Sequence, residues 1–141
     1  MPRPLVRLTR RATFAAAHRL YDPSFDEQTN AEIFGKCAHR GGHGHNYVVE
    51  VTVRGPVDPA TGMIINLVEL KHCMEEAVIQ HVDHRNLNED VSFLCGVNPT
   101  AENLAVAFWR QLEAVLPPGL LQEVRLIETA NNWAAYRGET A

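Results

Sequence analysis

No stretch of the sequence is apolar for long enough to cross a bilayer as a helix, so a helical membrane protein is not expected. Charge of one sign is also missing. Thirteen Lys and Arg stand against 17 Asp and Glu, for a net charge of −4, and such a balance excludes the footprint of a nucleic-acid binder. Cysteine is scarce: three residues, Cys37, Cys73 and Cys95, lie far apart in the chain. An odd, scattered set is no disulfide framework and suits a reducing, cytoplasmic setting. The N-terminal MPRPLVRLTRR is basic but has no apolar core ahead of a small-residue cleavage site, so a secretory signal is not expected. Repeats, low-complexity tracts and linkers are absent. The 141 residues, 45% of them hydrophobic, therefore read as one domain over 1–141 with a modest core.

What is present is periodicity. Leu5 to His18 reads as a long strand, with Val6, Leu8, Ala12, Phe14, Ala16 and His18 on one parity and Arg10 as its exception. Tyr21 to Asn30 is polar, carries Pro23 and reads as a loop. From His43 the alternation returns, placing His43, His45, Tyr47, Val49, Val51 and Val53 on one face until Gly55-Pro56. Asn66 reads as a helix cap with Glu69 as its reciprocal partner, and Leu67, Leu70, Met74, Ala77 and Val78 follow at helical spacing. After HVDHRNLNED, Asn98-Pro99 opens a second helix with Pro99 at its first position. Its buried stripe is Leu104, Ala105, Phe108, Leu112 and Val115, and Pro117-Pro118-Gly119 stops it. Strands over Glu123–Thr129 and Trp133–Tyr136 complete the chain. This order predicts an α+β domain: a four-stranded antiparallel sheet with two helices on one face. Open edges of so small a sheet would invite other subunits.

The segment GKCAHRGGHGHNY, Gly35 to Tyr47, concentrates ligand chemistry. On a strand, His43 and His45 point the same way, roughly 6.5–7 Å apart. If the first two strands are neighbours, His18 joins them. Three imidazoles suit a catalytic zinc site with an open fourth position. Two other readings stand beside this one. In one the histidines are a solvated strand entry and a satisfied core residue. In the other Cys37 closes a structural zinc site. Lys36 and Arg40 flank Cys37, and positive charge favours a thiolate. Asp83-His84 has the form of a carboxylate orienting an imidazole, or simply of a helix-ending turn. Glu128 shares parity with Val124 and Leu126, so its carboxylate must be paired or serve a ligand, unless the strand end reaches solvent.

Six segments occur here in a familiar order: FAAAH, C-x5-H-G-H-N-Y, D-x-x-T-G-M-I-x-N-L, V-D-H-R-N-L-N, P-T-A-E-N and I-E-T-x-N-N. Together, from about Arg11 to Glu139, they resemble the 6-pyruvoyltetrahydropterin synthase family. The resemblance implies the tunnelling fold, with trimers forming a barrel and two trimers stacking into a homo-hexamer. It implies a lyase that converts 7,8-dihydroneopterin triphosphate to 6-pyruvoyl-tetrahydropterin with loss of triphosphate. His18, His43 and His45 match the zinc ligands, and Cys37 the base acting on the side chain. Asp83 and His84 match a dyad supplied by a neighbouring subunit. Glu128 matches the carboxylate on the amino-pyrimidine edge, and Thr100 a hydroxyl near the pterin. Arg10, Arg11, Arg19, Lys36 and Arg85 are candidates for the triphosphate. Two alternatives remain at this point. One is a 6-carboxytetrahydropterin synthase of the queuosine pathway, which usually has the shorter spacing C-x3-H-G-H. The other is a non-catalytic pterin- or metal-binding protein.

Overall fold

The computed structural model describes residues 1–141. Strand β1, Leu5–His18, pairs antiparallel with β2, His43–Pro56, over their full lengths, from Leu5 opposite Pro56 to His18 opposite His43. Strand β4, Leu121–Thr129, continues the sheet beside β2, and β5, Asn132–Tyr136, closes that side. The sheet has five strands rather than the expected four. Strand β3, Arg85–Asn86, runs parallel to β1 at Ala16 and Ala17, giving the order β3-β1-β2-β4-β5. Two residues carry no alternation, so nothing in the pattern marks β3 as a strand.

Helix α1, Glu27–Phe34, begins inside the stretch expected to be a loop. Asp26 caps it by accepting the Thr29 N–H at 2.7 Å. Its one buried residue is the polar Asn30, so no apolar stripe announces it. A 3₁₀ turn, Gly35–Ala38, follows directly and carries Cys37. Helix α2, Leu67–Met74, is capped by Asn66, which accepts the Val68 N–H at 2.9 Å; Glu69 returns no bond, and Leu67 is exposed. A π turn, Glu75–Ile79, then widens the helix so that Ala77, Val78 and Ile79 are all buried before α3, Gln80–Val82. Helix α4, Ala101–Glu113, starts two residues later than expected. Thr100 is its cap, and Pro99 precedes the cap instead of occupying the first helical position. Val115 lies past the end of α4 and is exposed.

Phe14, Tyr47, Val49, Val51, Val53, Val124 and Leu126 from the sheet join Leu70, Met74, Val78, Leu104, Phe108 and Leu112 from the helices in a core of 24 buried residues. Phe14 stacks on Tyr47 with ring centroids 4.8 Å apart and meets Phe108 edge-on at 5.8 Å. Each such buried apolar side chain contributes about 1.5–3 kcal/mol. The opposite parity is polar. There Thr9 bonds Thr52 at 2.7 Å, and Arg11 pairs with Glu50 at 3.0 Å. No helix is long and apolar enough to cross a membrane.

Candidate active site

Register brings the histidines together. Because His18 lies opposite His43 and Ala16 opposite His45, all three imidazoles emerge at one end of the helix-covered face. One ring nitrogen from each lies within 4.8 Å of the others, and Cys37 is outside this group. His18 Nε2 and His43 Nε2 are 3.1 Å apart. Two ring nitrogens this close share either an N–H···N hydrogen bond or a metal ion.

The protonation pattern follows from the surroundings. His18 is 1% exposed, and its Nδ1–H donates to the Pro99 carbonyl at 2.8 Å. That bond leaves Nε2 with a free lone pair facing the cluster. Burial depresses the pKa of His18, against a smaller opposing effect of the Pro99 bond. Burial also depresses His45, although Glu128 pulls the other way. Both rings are therefore neutral near pH 7, the form a metal ion requires. His45 Nε2 is buried and has no hydrogen-bond partner. An orphaned, buried imidazole nitrogen beside two more is costly without a ligand and fits a metal ion.

Tyr47 was not singled out as a site residue, yet it forms the floor of the cluster. It is fully buried, with its hydroxyl 3.3 and 3.4 Å from the two nitrogens of His18. Burial raises its pKa far above the ordinary value, reinforced by negative charge at Glu128 and Cys37, so it stays a neutral phenol. The signal was its place on the His43–His45 parity; read as one more apolar residue, it gave no hint of the contact.

Glu128 keeps the expected parity, next to the fully buried Val124 and Leu126. It sits where the β4–β5 register shifts, between Ile127 and Thr129, as the extra residue of a bulge. The bulge brings its carboxylate to 3.9 Å from His45 Nε2, with 22% of the side chain exposed. Glu128 and Thr100 share the lining of one open cavity of about 720 Å³, together with Glu102, Asn132, Trp133 and Phe34. The Thr100 oxygen accepts the Asn103 N–H at 3.1 Å as the cap of α4, so its own O–H is the group left for a ligand. Glu102, in the first turn of α4, is a second carboxylate in that lining.

Cys37 is half-buried on the 3₁₀ turn. Its carbonyl accepts the Leu20 N–H at 2.8 Å, and the next carbonyl, of Ala38, accepts Arg19 Nε–H at 2.8 Å. The turn is thus clamped to the end of β1, two residues beyond His18. This use of Arg19, and the pairing of Arg11 with Glu50, occupies two of the five candidate cations. Asp83 and His84 do form a pair, with Oδ1 and Nδ1 3.0 Å apart. Asp83 also accepts the Ala15 N–H at 3.0 Å, the main cause of its depressed pKa. His84 sits at φ +59 with its side chain 83% exposed. It borders a depression of about 510 Å³ whose lining includes Ala15, Ala16, Ala17, Gly44, His45 and Asn46. Within one protomer no hydrogen bond or ion pair joins the dyad to the three converging histidines.

The family model described as 6-pyruvoyl tetrahydropterin synthase matches residues 7–139. The human 6-pyruvoyl tetrahydrobiopterin synthase is 50% identical over 133 residues, 94% of this chain and 92% of that protein. The solved structure of Caenorhabditis elegans 6-pyruvoyl tetrahydropterin synthase superposes with a TM-score of 0.94 at 41% identity, covering 99% of each chain. A putative 6-carboxy-5,6,7,8-tetrahydropterin synthase from Archaeoglobus fulgidus is 34% identical over 96 residues, 67% of this chain and 75% of that protein.

Proposed function

The chain belongs to the 6-pyruvoyl tetrahydropterin synthase family, and on that premise we propose that it converts 7,8-dihydroneopterin triphosphate to 6-pyruvoyl-tetrahydropterin, releasing triphosphate in the cytoplasm as one domain over 1–141. The observation that carries this reading is the cluster of His18, His43 and His45 beside a cavity whose lining includes Glu128. His18, His43 and His45 would hold zinc, which when bound polarises the oxygens of the substrate side chain and so acidifies the neighbouring C–H bonds.

The other roles belong to the chain's own groups. Glu128 and Thr100 hold the pterin, the carboxylate accepting two N–H bonds from the amino-pyrimidine edge. Glu102 is the second acceptor available in the same cavity. Cys37, as thiolate, takes a proton from the side chain. His84, oriented by Asp83, returns one. Because no hydrogen bond or ion pair joins the dyad to the cluster within one chain, it serves the site of a neighbouring subunit in a homo-oligomer, a hexamer of two stacked trimers.

The 6-carboxytetrahydropterin synthase reading is not favoured. The relative bearing that name matches two thirds of the chain at 34% identity, against 50% over nearly all of it for the pyruvoyl enzyme. The five-residue gap between Cys37 and His43 agrees. The test is product analysis. Zinc-loaded protein is incubated anaerobically with 7,8-dihydroneopterin triphosphate, and products are identified by mass spectrometry. A 6-pyruvoyl pterin with triphosphate is expected. A 6-carboxy pterin with acetaldehyde would replace the assignment, and zinc binding without turnover would leave a binding protein.

A further inference from the structure

His18 is the deepest of the three imidazoles, and one bond decides which of its nitrogens carries the proton: Nδ1–H to the Pro99 carbonyl, 2.8 Å. A carbonyl selects a tautomer only if it is held in place. Pro99 is buried and lies outside α4, just before the cap. Its ring fixes φ and it has no N–H of its own, so the direction of its carbonyl depends on how the peptide groups on either side are anchored.

Those anchors come from the first turn of α4. The Asn98 carbonyl accepts two bonds, from Thr100 N–H at 2.8 Å and from the side-chain Nδ2–H of Asn103 at 2.9 Å. The Asn98–Pro99 peptide is planar, so holding its oxygen also holds the nitrogen of Pro99 and the ring attached to it. Asn103 meanwhile gives its backbone N–H to Thr100 Oγ1. The Asn98 side chain accepts the Tyr21 N–H at 3.2 Å, tying the clip to the segment that follows His18. The loop is therefore closed on both sides of Pro99, and its one side-chain donor is Asn103.

We infer that Asn103 is a positioning residue for the metal centre: by gripping the Asn98 carbonyl it aims the Pro99 carbonyl that keeps His18 in the Nδ1–H tautomer, with Nε2 presented to the ion. Asn103 touches neither metal nor substrate in this role. The effect on metal affinity rests on reading the histidine cluster as a metal centre; the effect on the tautomer does not.

Asn103→Asp is the informative variant. It keeps shape and replaces the donor with an acceptor. An acid in the first turn of a helix is itself favourable, so the apoprotein should melt close to wild type. Asn103→Ala removes the donor without adding charge and serves the same comparison should the first variant fold poorly. Two measurements are made on each protein. Nitrogen-15 NMR of histidine-labelled apoprotein reads the tautomer of His18, and competition against a chromophoric chelator reads the affinity for zinc alone. The expected result is a wild-type His18 held as Nδ1–H, a mixed tautomer in the variant, and zinc affinity reduced about tenfold, at the low end for partners outside the ligand set. An unchanged tautomer with zinc affinity within twofold of wild type overturns the inference. So does a weakened zinc site with the tautomer retained, since the coupling would then not run through His18. A wild type that binds no zinc, with the tautomer still shifting in the variant, upholds the link from Asn103 to His18 and removes the metal reading instead.

Discussion

At the scale of single residues, the site separates into groups that bind and groups that move protons, and substitution should separate them experimentally. Cys37 lies outside the three converging nitrogens, so Cys37→Ala should abolish turnover while zinc stoichiometry, measured by atomic emission, stays at the wild-type value. Loss of one zinc per chain in that variant would make Cys37 a ligand after all. Glu128→Ala should instead raise the Kd for substrate. Loss of a paired, partly buried carboxylate costs about 2–3 kcal/mol, some 30- to 150-fold, read by calorimetry on a Cys37→Ala background that cannot turn over. Wild-type affinity there would take Glu128 out of the pterin pocket. The histidines were legible because strand parity is a strict rule: once β1 and β2 are neighbours, His18, His43 and His45 must share a face. Tyr47 obeys the same rule, but its role depends on depth beneath His18, which parity does not encode. Glu102 sits at a helix start, where an acid is expected on electrostatic grounds alone, and only the cavity gives it another meaning.

At the scale of elements, what could be read followed from the strength of each local signal. The long strands and α4 carry alternating or amphipathic patterns over nine residues or more and stand where expected, apart from an end or two. Helix α1 buries a polar residue and β3 has two residues, so neither has a pattern to detect. The connections between elements hold the site under tight backbone constraint. Gly42, at φ +69, turns the chain into His43, and a Cβ there would stand 3.0 Å from the His18 carbonyl oxygen. Gly42→Ala should lower stability by about 1–3 kcal/mol in urea denaturation and reduce zinc content. Gly41→Ala, with ordinary φ and only the ring of His39 in reach at 3.3 Å, should cost less; equal losses would deny the turn its special role. Asp83 performs a comparable service at the end of α3, binding the Ala15 N–H of β1. Its pKa is depressed below the ordinary 3.8, so this stabilisation is complete above that value and fades as pH falls through the lower, folded-state value. The carboxylate is 38% exposed and screened by water, so Asp83→Ala should cost about 1 kcal/mol at pH 7. That difference should disappear in strong acid; a pH-independent difference would assign the loss to packing.

At the scale of the whole molecule, the proposed site residues of one protomer fall into two groups that no bond joins. The histidine cluster and Glu128 gather at one end of the helix-covered face, whereas the Asp83–His84 pair leaves its imidazole exposed beside β3. Strand β3 pairs with β1 at Ala16 and Ala17, and Asp83 and His84 occupy the backbone of Ala15, leaving Leu5 to Phe14 as an open edge; β5 is a short edge on the far side. Open edges are sites of strand addition, and a second copy of the chain is the partner always at hand. The open edges were legible from the few strands the periodicity predicts, but the pattern reports burial within a chain and is silent on what meets an edge. Complementation tests the division of labour directly. Cys37→Ala and His84→Ala protomers, each inactive alone, are unfolded together and reassembled in equal amounts. If each site takes its thiol from one chain and its imidazole from the next, a random mixture places both intact groups in about one site in four, and about a quarter of wild-type activity returns. Sites built within single chains would regain nothing, because every protomer in the mixture lacks one of the two groups.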